Sequence, residues 1–237
     1  GAARQVASTL SERVARGDAS VVQVVCPVLD LFNHRAGSRT RVELQRDAIT
    51  DEPQAIHVYA GAPASAGEPL FLSYGRKSNE RLLASYGFVP REGRNPSSFV
   101  LLHGVLGDAA FADCIQGKNH RLVQELRAWQ AVDFRIYDAG RYGAIDPTLL
   151  TVGRALVGSE GALAATLAAR AREELVHAGD LVELRAALAH AERGGDEALE
   201  AVLRCRVADC ELWERFASGM ETFVASEPSI SLLAFFE

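Results

Sequence analysis

The sequence predicts an α+β protein whose β and α parts are segregated along the chain. Before about residue 90 the apolar residues fall in short, β-branched or alternating runs separated by Gly- and Pro-marked turns. From about residue 119 the chain is rich in Ala, Leu, Glu and Arg, with apolar residues at helical spacing over long stretches. Helices do not alternate with strands, which argues against a doubly wound α/β sheet. At 237 residues, 48% of them apolar, the chain can bury a core without disulfides or metals as staples.

Residues 1–16 read as a helix, with Val6, Leu10 and Val14 near helical spacing and Gly17-Asp18 as a stop. The β-branched run 21–25 reads as a buried strand or an ordered approach to Pro27. Strands are expected at 42–44, 55–60 and 69–73, with 61–67 as a turn-rich connection. Ser78 is a candidate cap for a short helix that turns Leu82 and Leu83 to the core, with Gly87 as its C-cap. The polar, Pro- and Gly-marked run Arg91 to Pro96 sets the expected domain boundary, giving 1–92 and 93–237. Beyond it come a strand at 98–105 and helices at 120–130, 160–178, 181–192 and 198–224. On the last helix Leu199, Leu203, Cys210, Trp213, Phe216, Met220 and Phe223 make the stripe that a helix-bundle core needs.

The formal net charge is −6 and no long Lys/Arg block occurs, which argues against a nucleic-acid surface. Arg35, Arg39, Arg41 and Arg46 do cluster. Because charged residues are generally solvated, they read as a loop and strand edge ahead of a site for an acidic partner. Cys26, Cys114, Cys205 and Cys210 lack C-x-x-C or a nearby histidine at ligand spacing, so no metal site is expected. A reducing intracellular compartment is the default, cytoplasm and chloroplast being indistinguishable. No apolar run is long enough for a membrane span, and no signal peptide opens the chain.

Three ordered elements carry chemistry. The first is P-x-x-D-x-x-N-H, from Pro27 through Asp30, Leu31 and Phe32 to Asn33-His34. The second is A-G-E-x-x-x-x-S-Y-G, from Ala66 to Gly75, and the third is R-K-S-N-E-x-L-L-x-x-Y-G-F, from Arg76 to Phe88. A buried amide beside an imidazole offers donors and acceptors in fixed array, although Asn33 could as well cap a turn and His34 be a satisfied core histidine. Tyr74 brings a polar oxygen on a rigid ring, or packs as an ordinary strand-end tyrosine; Gly75 marks a bend. Asp30 could contact a ligand or simply satisfy turn amides.

Together these elements resemble the carboxy-terminal half of a SET-domain methyltransferase, of the branch typified by the RuBisCO large-subunit lysine methyltransferase and the actin histidine methyltransferase. The resemblance implies a partial SET-domain β fold followed by an all-α helical substrate-binding domain. It implies S-adenosylmethionine as cofactor, contacted by Asp30, Leu31, Phe32, Asn33, His34, Tyr86, Gly87 and Phe88, with both segments bordering one pocket. Tyr74 becomes the catalytic residue, and Asp30, Tyr74 and Tyr86 border the acceptor. The implied activity is protein-lysine N-methylation by a monomer acting on a protein substrate, with no nucleic acid, membrane or metal. A histidine-directed enzyme and a non-catalytic SET-like protein-binding module are the alternatives.

The chain also departs from the family. An S-R pair is expected upstream of N-H, yet Thr9 follows Ser8 and the nearest arginine is Arg13. Val42 stands where the plant enzyme has an aromatic residue. The glycine-containing cofactor strands of the amino-terminal SET half would precede Gly1, so the isolated chain is expected to bind the cofactor weakly and full activity to need a longer protein.

Overall fold

A computed structural model of the protein describes residues 26–91, 93–105, 132–226 and 230–236. The helix expected at 1–16, with Ser8, Thr9 and Arg13, the run 21–25, Cys114 and the helix at 120–130 lie outside them. The described chain is a mixed α+β structure with two compact units, Gly1–Arg76 and Lys77–Glu237.

In the first unit a turn at Leu29–Leu31 leads into β1 (Asn33–His34), which pairs in parallel with β4 (Phe71–Leu72), Asn33 opposite Phe71 and His34 opposite Leu72. Between them β2 (Arg41–Arg46) and β3 (Pro53–Tyr59) form an antiparallel hairpin. Its turn is built by Asp47, whose Oδ1 accepts the N–H groups of Ile49 and Thr50, while Asp51 adopts the left-handed conformation that Asp tolerates better than most residues. Those amides hold the Asp47 carboxyl below its ordinary pKa. Side chains alternate between faces of a strand. Val42 opposite Val58 and Leu44 opposite Ile56 therefore make one apolar face, while Arg41 opposite Tyr59 and Glu43 opposite His57 make a polar one. All four of those aliphatic residues are exposed.

The second unit opens with α1 (Asn79–Tyr86), capped by Ser78, whose Oγ accepts the Arg81 N–H, and closed by Gly87 at φ +76°. Leu82 is fully buried and Leu83 half-buried, on the expected side. Asn95 ties this helix to the strand beyond it. Its Nδ2 donates to the Lys77 carbonyl and to Asn79 Oδ1, and the Asn79 N–H donates to Ser98 Oγ. These bonds group residues 77–98 with the helices, so compactness divides the chain between Arg76 and Lys77, earlier than the boundary at 92–93 suggested by the Pro/Gly run.

The all-α expectation for the later residues needs correction. An antiparallel sheet of β5 (Phe99–Leu102), β6 (Phe134–Tyr137) and β7 (Ala144–Ile145) lies there, burying Val100, Leu102, Phe134 and Ile136 on one face. Helices then complete the unit: α2 (Pro147–Val157), α3 (Glu160–Ala178), α4 (Leu181–Gly194), α5 (Glu197–Ser226) and the short α6 (Leu232–Phe236). Asp146, Ser159 and Asp180 cap α2, α3 and α4 through their side-chain oxygens. α3 packs most extensively on α5, with Leu163, Leu167 and Ala171 sharing one core with Leu212, Phe216 and Met220. Gly153 permits the close approach of α2 to α3, since a Cβ there would stand 2.6 Å from Leu163 Cδ1.

Candidate functional site

The site grows from β1 and β4. Their parallel pairing is continued by the Arg35 N–H, which donates to the Leu72 carbonyl, and it sets His34 beside the chain that leaves β4. The Tyr74 N–H then donates to His34 Nδ1 at 3.1 Å, although the two residues are forty positions apart. The Tyr74 hydroxyl reaches back to donate to the Phe32 carbonyl at 2.7 Å, and the two rings lie 5.1 Å apart at 37°. Gly75, at φ +88°, makes the bend after Tyr74 in a conformation that favours glycine. Thus Phe32, His34 and Tyr74, from two separate motifs, form one hydrogen-bonded group.

The protonation of His34 follows from this geometry. A ring nitrogen that accepts a backbone N–H carries no proton, so the neutral imidazole holds its hydrogen on Nε2. Burial holds its pKa below the ordinary value, opposed by a hydrogen bond with the Leu72 backbone. An uncharged, oriented imidazole is the result near neutral pH.

The other predicted residues divide differently. Asp30 Oδ2 accepts the Cys26 N–H at 2.6 Å, so this carboxylate fastens its own turn. Asn33 is exposed rather than buried, and its side-chain amide has no hydrogen-bond partner among the described residues. Leu31 is also exposed, whereas Phe32 is half-buried. An amino-acid head group needs a donor for its carboxylate and an acceptor for its ammonium; the Asn33 amide offers both, so this residue fits S-adenosylmethionine chemically. Tyr86, Gly87 and Phe88 belong to the second unit. There Tyr86 ends α1 half-exposed, Gly87 takes the left-handed cap, and the Tyr86 and Phe88 rings stand 6.4 Å apart. Nothing lies within 4 Å of where a Gly87 Cβ would stand, so backbone conformation rather than space calls for glycine.

Sequence reasoning missed the Phe32 carbonyl as the anchor of Tyr74, since a backbone acceptor has no sequence signature. It also missed a polar cluster in the second unit. Asp138, buried after β6, binds Arg215 and lies 3.9 Å from Arg94, and burial raises its pKa against the pull of both arginines. Asp209 on α5 is raised to about 7, first by burial and then by Glu80. Cys205 is buried and pushed to about 12, which makes it an unreactive thiol. Among the described residues no helix is long and apolar enough to cross a membrane, and no group of three or more His, Cys, Asp or Glu could hold a metal. Compared with protein-family models and with curated proteins, the sequence finds no match in either.

Proposed function

We propose that this protein is part of an S-adenosylmethionine-dependent protein-lysine N-methyltransferase of the SET type, with Tyr74 at the reaction axis and Asn33 and His34 toward the cofactor. The observation that supports it is the direct contact of the N-H and S-Y-G motifs, through Tyr74 N–H to His34 Nδ1 and Tyr74 O–H to the Phe32 carbonyl. S-adenosylmethionine, when bound, supplies a methyl group made electrophilic by its sulfonium. Asn33 is suited to orient the amino-acid end through its exposed amide. His34, kept neutral, positions Tyr74 without setting a second cation beside the sulfonium. The Tyr74 hydroxyl, fixed by donating to the Phe32 carbonyl, would set a polar oxygen near the methyl to be transferred.

The test is a calorimetric titration of this chain and of a form extended upstream with S-adenosylmethionine, paired with transfer of a labelled methyl group by the extended form into the proteins of a lysate, the variants being compared in the extended form. Asn33→Ala should weaken cofactor binding by about 1–3 kcal/mol, the cost of leaving ligand polar groups unpaired. Tyr74→Phe should leave binding nearly intact and slow transfer. Equal transfer by Tyr74→Phe and wild type removes Tyr74 from its role. The exposure of Asn33 favours a second reading, a non-catalytic SET-like protein-binding module, because a solvated amide gives up the gain that a desolvated site offers. Absence of cofactor binding in both this chain and a form extended upstream would support that module.

A further inference from the structure

Arginines line clefts in both units, and the clefts differ in how those charges are used. In the second unit a cleft of about 320 Å³ lies between residues 89–95 and the helices α4 and α5. Its arginines are already engaged: Arg91 with Glu200 at 3.0 Å, Arg185 with Glu211 at 2.7 Å, and Arg204 with Glu192 and Glu200. Arg94 donates to the Gly140 carbonyl. An incoming anion would have to displace those partners.

The first unit contains a larger groove, about 490 Å³, between the turn at 35–40 and the loop at 61–71. Arg35 and Arg39 line it, and neither guanidinium has a carboxylate partner among the described residues. Arg35 lies 3.8 Å above the Phe71 ring. Stacking holds a guanidinium by its face and leaves the N–H groups at its edge directed outward, the arrangement that takes a carboxylate with two parallel bonds. The turn carrying both arginines is pinned. Ser38 Oγ donates to the Phe71 carbonyl at 2.7 Å and accepts the Thr40 N–H, while Gly61 presses so closely on Arg39 that a Cβ would stand 2.4 Å from its carbonyl carbon. Glu68, the acid lining the groove, accepts the Ser65 N–H and forms no ion pair with either arginine. Pro63, Pro69 and the exposed Leu70 supply an apolar wall beside the charge.

We propose that this groove binds an acidic segment of a protein partner. Arg35 and Arg39 take its carboxylates, and Leu70 with the two prolines takes a neighbouring apolar side chain. The groove is built by the arginine cluster that composition alone assigns to solvent; what changes the reading is that, among the described residues, neither of these two charges has an acidic partner and both sit on a pinned turn, within a chain of net charge −6. The two arginines that line the groove fall well short of roughly 6–10 phosphate contacts on a duplex, so nucleic acid fits the groove poorly. A bare inorganic anion leaves the apolar wall unused.

Fluorescence anisotropy on the full chain tests it, with a labelled peptide alternating Glu and Leu and the same peptide with Gln for Glu. The expected result is saturable binding of the Glu peptide that weakens with salt. Loss of charge-assisted bonds should weaken it about tenfold in Arg39→Gln, and more in the Arg35→Gln/Arg39→Gln pair. Arg39→Gln removes no side-chain bond among the described residues, so it decides the matter if circular dichroism shows the double variant unfolded. Equal binding of the Gln peptide, unchanged affinity in Arg39→Gln, or complete competition by inorganic phosphate at the peptide's own concentration overturns the proposal.

Discussion

Among the described residues, every one that is fully buried, from Asn79 and Leu82 to Phe236, lies in the second unit, while the first holds its shape with no buried side chain. The second unit is organised around packing: Phe134, Leu163, Phe216 and their neighbours form one contiguous core. The first is organised around polar bonds, with Asp30, Asp47 and Ser38 each satisfying backbone groups of a turn and Tyr74 bonding to His34 and Phe32. A two-stranded hairpin alone is marginal in water. The difference teaches that the N-H and S-Y-G motifs sit on a segment that, among the described residues, is held by polar bonds and not by buried side chains, a common property of binding elements.

The sharpest way to break this contrast is to cut the core. Phe216 is fully buried, with Phe236 at 5.9 Å and Trp213 at 6.4 Å between ring centroids. Phe216→Ala should cost about 3–5 kcal/mol, from lost burial and the cavity left behind. Urea denaturation followed by helical circular dichroism measures it; a loss below about 1 kcal/mol would mean that the helical unit is not held by this core.

A second test uses charge inside the helical unit. Folding raises the Asp209 carboxyl from 3.8 to about 7, through burial first and Glu80 second. An acid raised in this way is protonated when folded and ionised when unfolded between those two values. Its stabilisation is complete below the lower value and is lost as pH rises through the upper one. Relative to Asp209→Asn, the wild type should therefore lose on the order of 2 kcal/mol of stability between pH 5 and pH 8. Parallel stability curves for the two proteins across that range would contradict the assignment.

How much of the molecule is legible in the sequence obeys the same divide. Helices α3, α4 and α5 lie within a few residues of where periodicity puts them, because their helical patterns are long; the caps Ser159 and Asp180, not used in that reading, fix the starts of α3 and α4. α2 is not read from the sequence, although Asp146-Pro147 and Gly158 mark its ends and Leu149, Leu150, Gly153 and Leu156 fall on one buried face at helical spacing. β6 and β7 escape it because strands this short carry almost no periodic signal. In the site, the hairpin strands and the Ser78 and Gly87 caps can be read from local chemistry. The parallel pairing of β1 with β4 cannot: two-residue strands distant in sequence declare no partner, and the Tyr74 bond to a backbone carbonyl exists only once they meet.

A milder perturbation probes α1, where the third motif ends. Gly87→Ala forces a Cβ onto a residue at φ +76° with open space around it, so the cost is conformational, about 1 kcal/mol. Ser78→Ala should cost a similar amount by orphaning the Arg81 N–H. Because the two ends of α1 are separate, the double variant should show the sum in denaturant midpoints; a shortfall would mean that the helix frays as one unit.

The smallest expected effect falls on the hairpin. Val58 stands opposite Val42 on the apolar face and is 36% exposed, at the border of half-burial. Val58→Thr keeps the β-branched shape that suits a strand and exchanges one methyl for a hydroxyl. On a solvated face the hydroxyl stays hydrated, and stability should move by no more than about 0.5 kcal/mol. Under a covering layer the same hydroxyl would lose water without gaining a partner, at a cost of about 1–3 kcal/mol. Measuring this variant alone and with candidate partners present therefore reads out whether the face is open. An unchanged midpoint alone, with a loss of partner affinity, would show that what packs there arrives from another molecule; a large loss in the isolated chain would show that the first unit has a core after all.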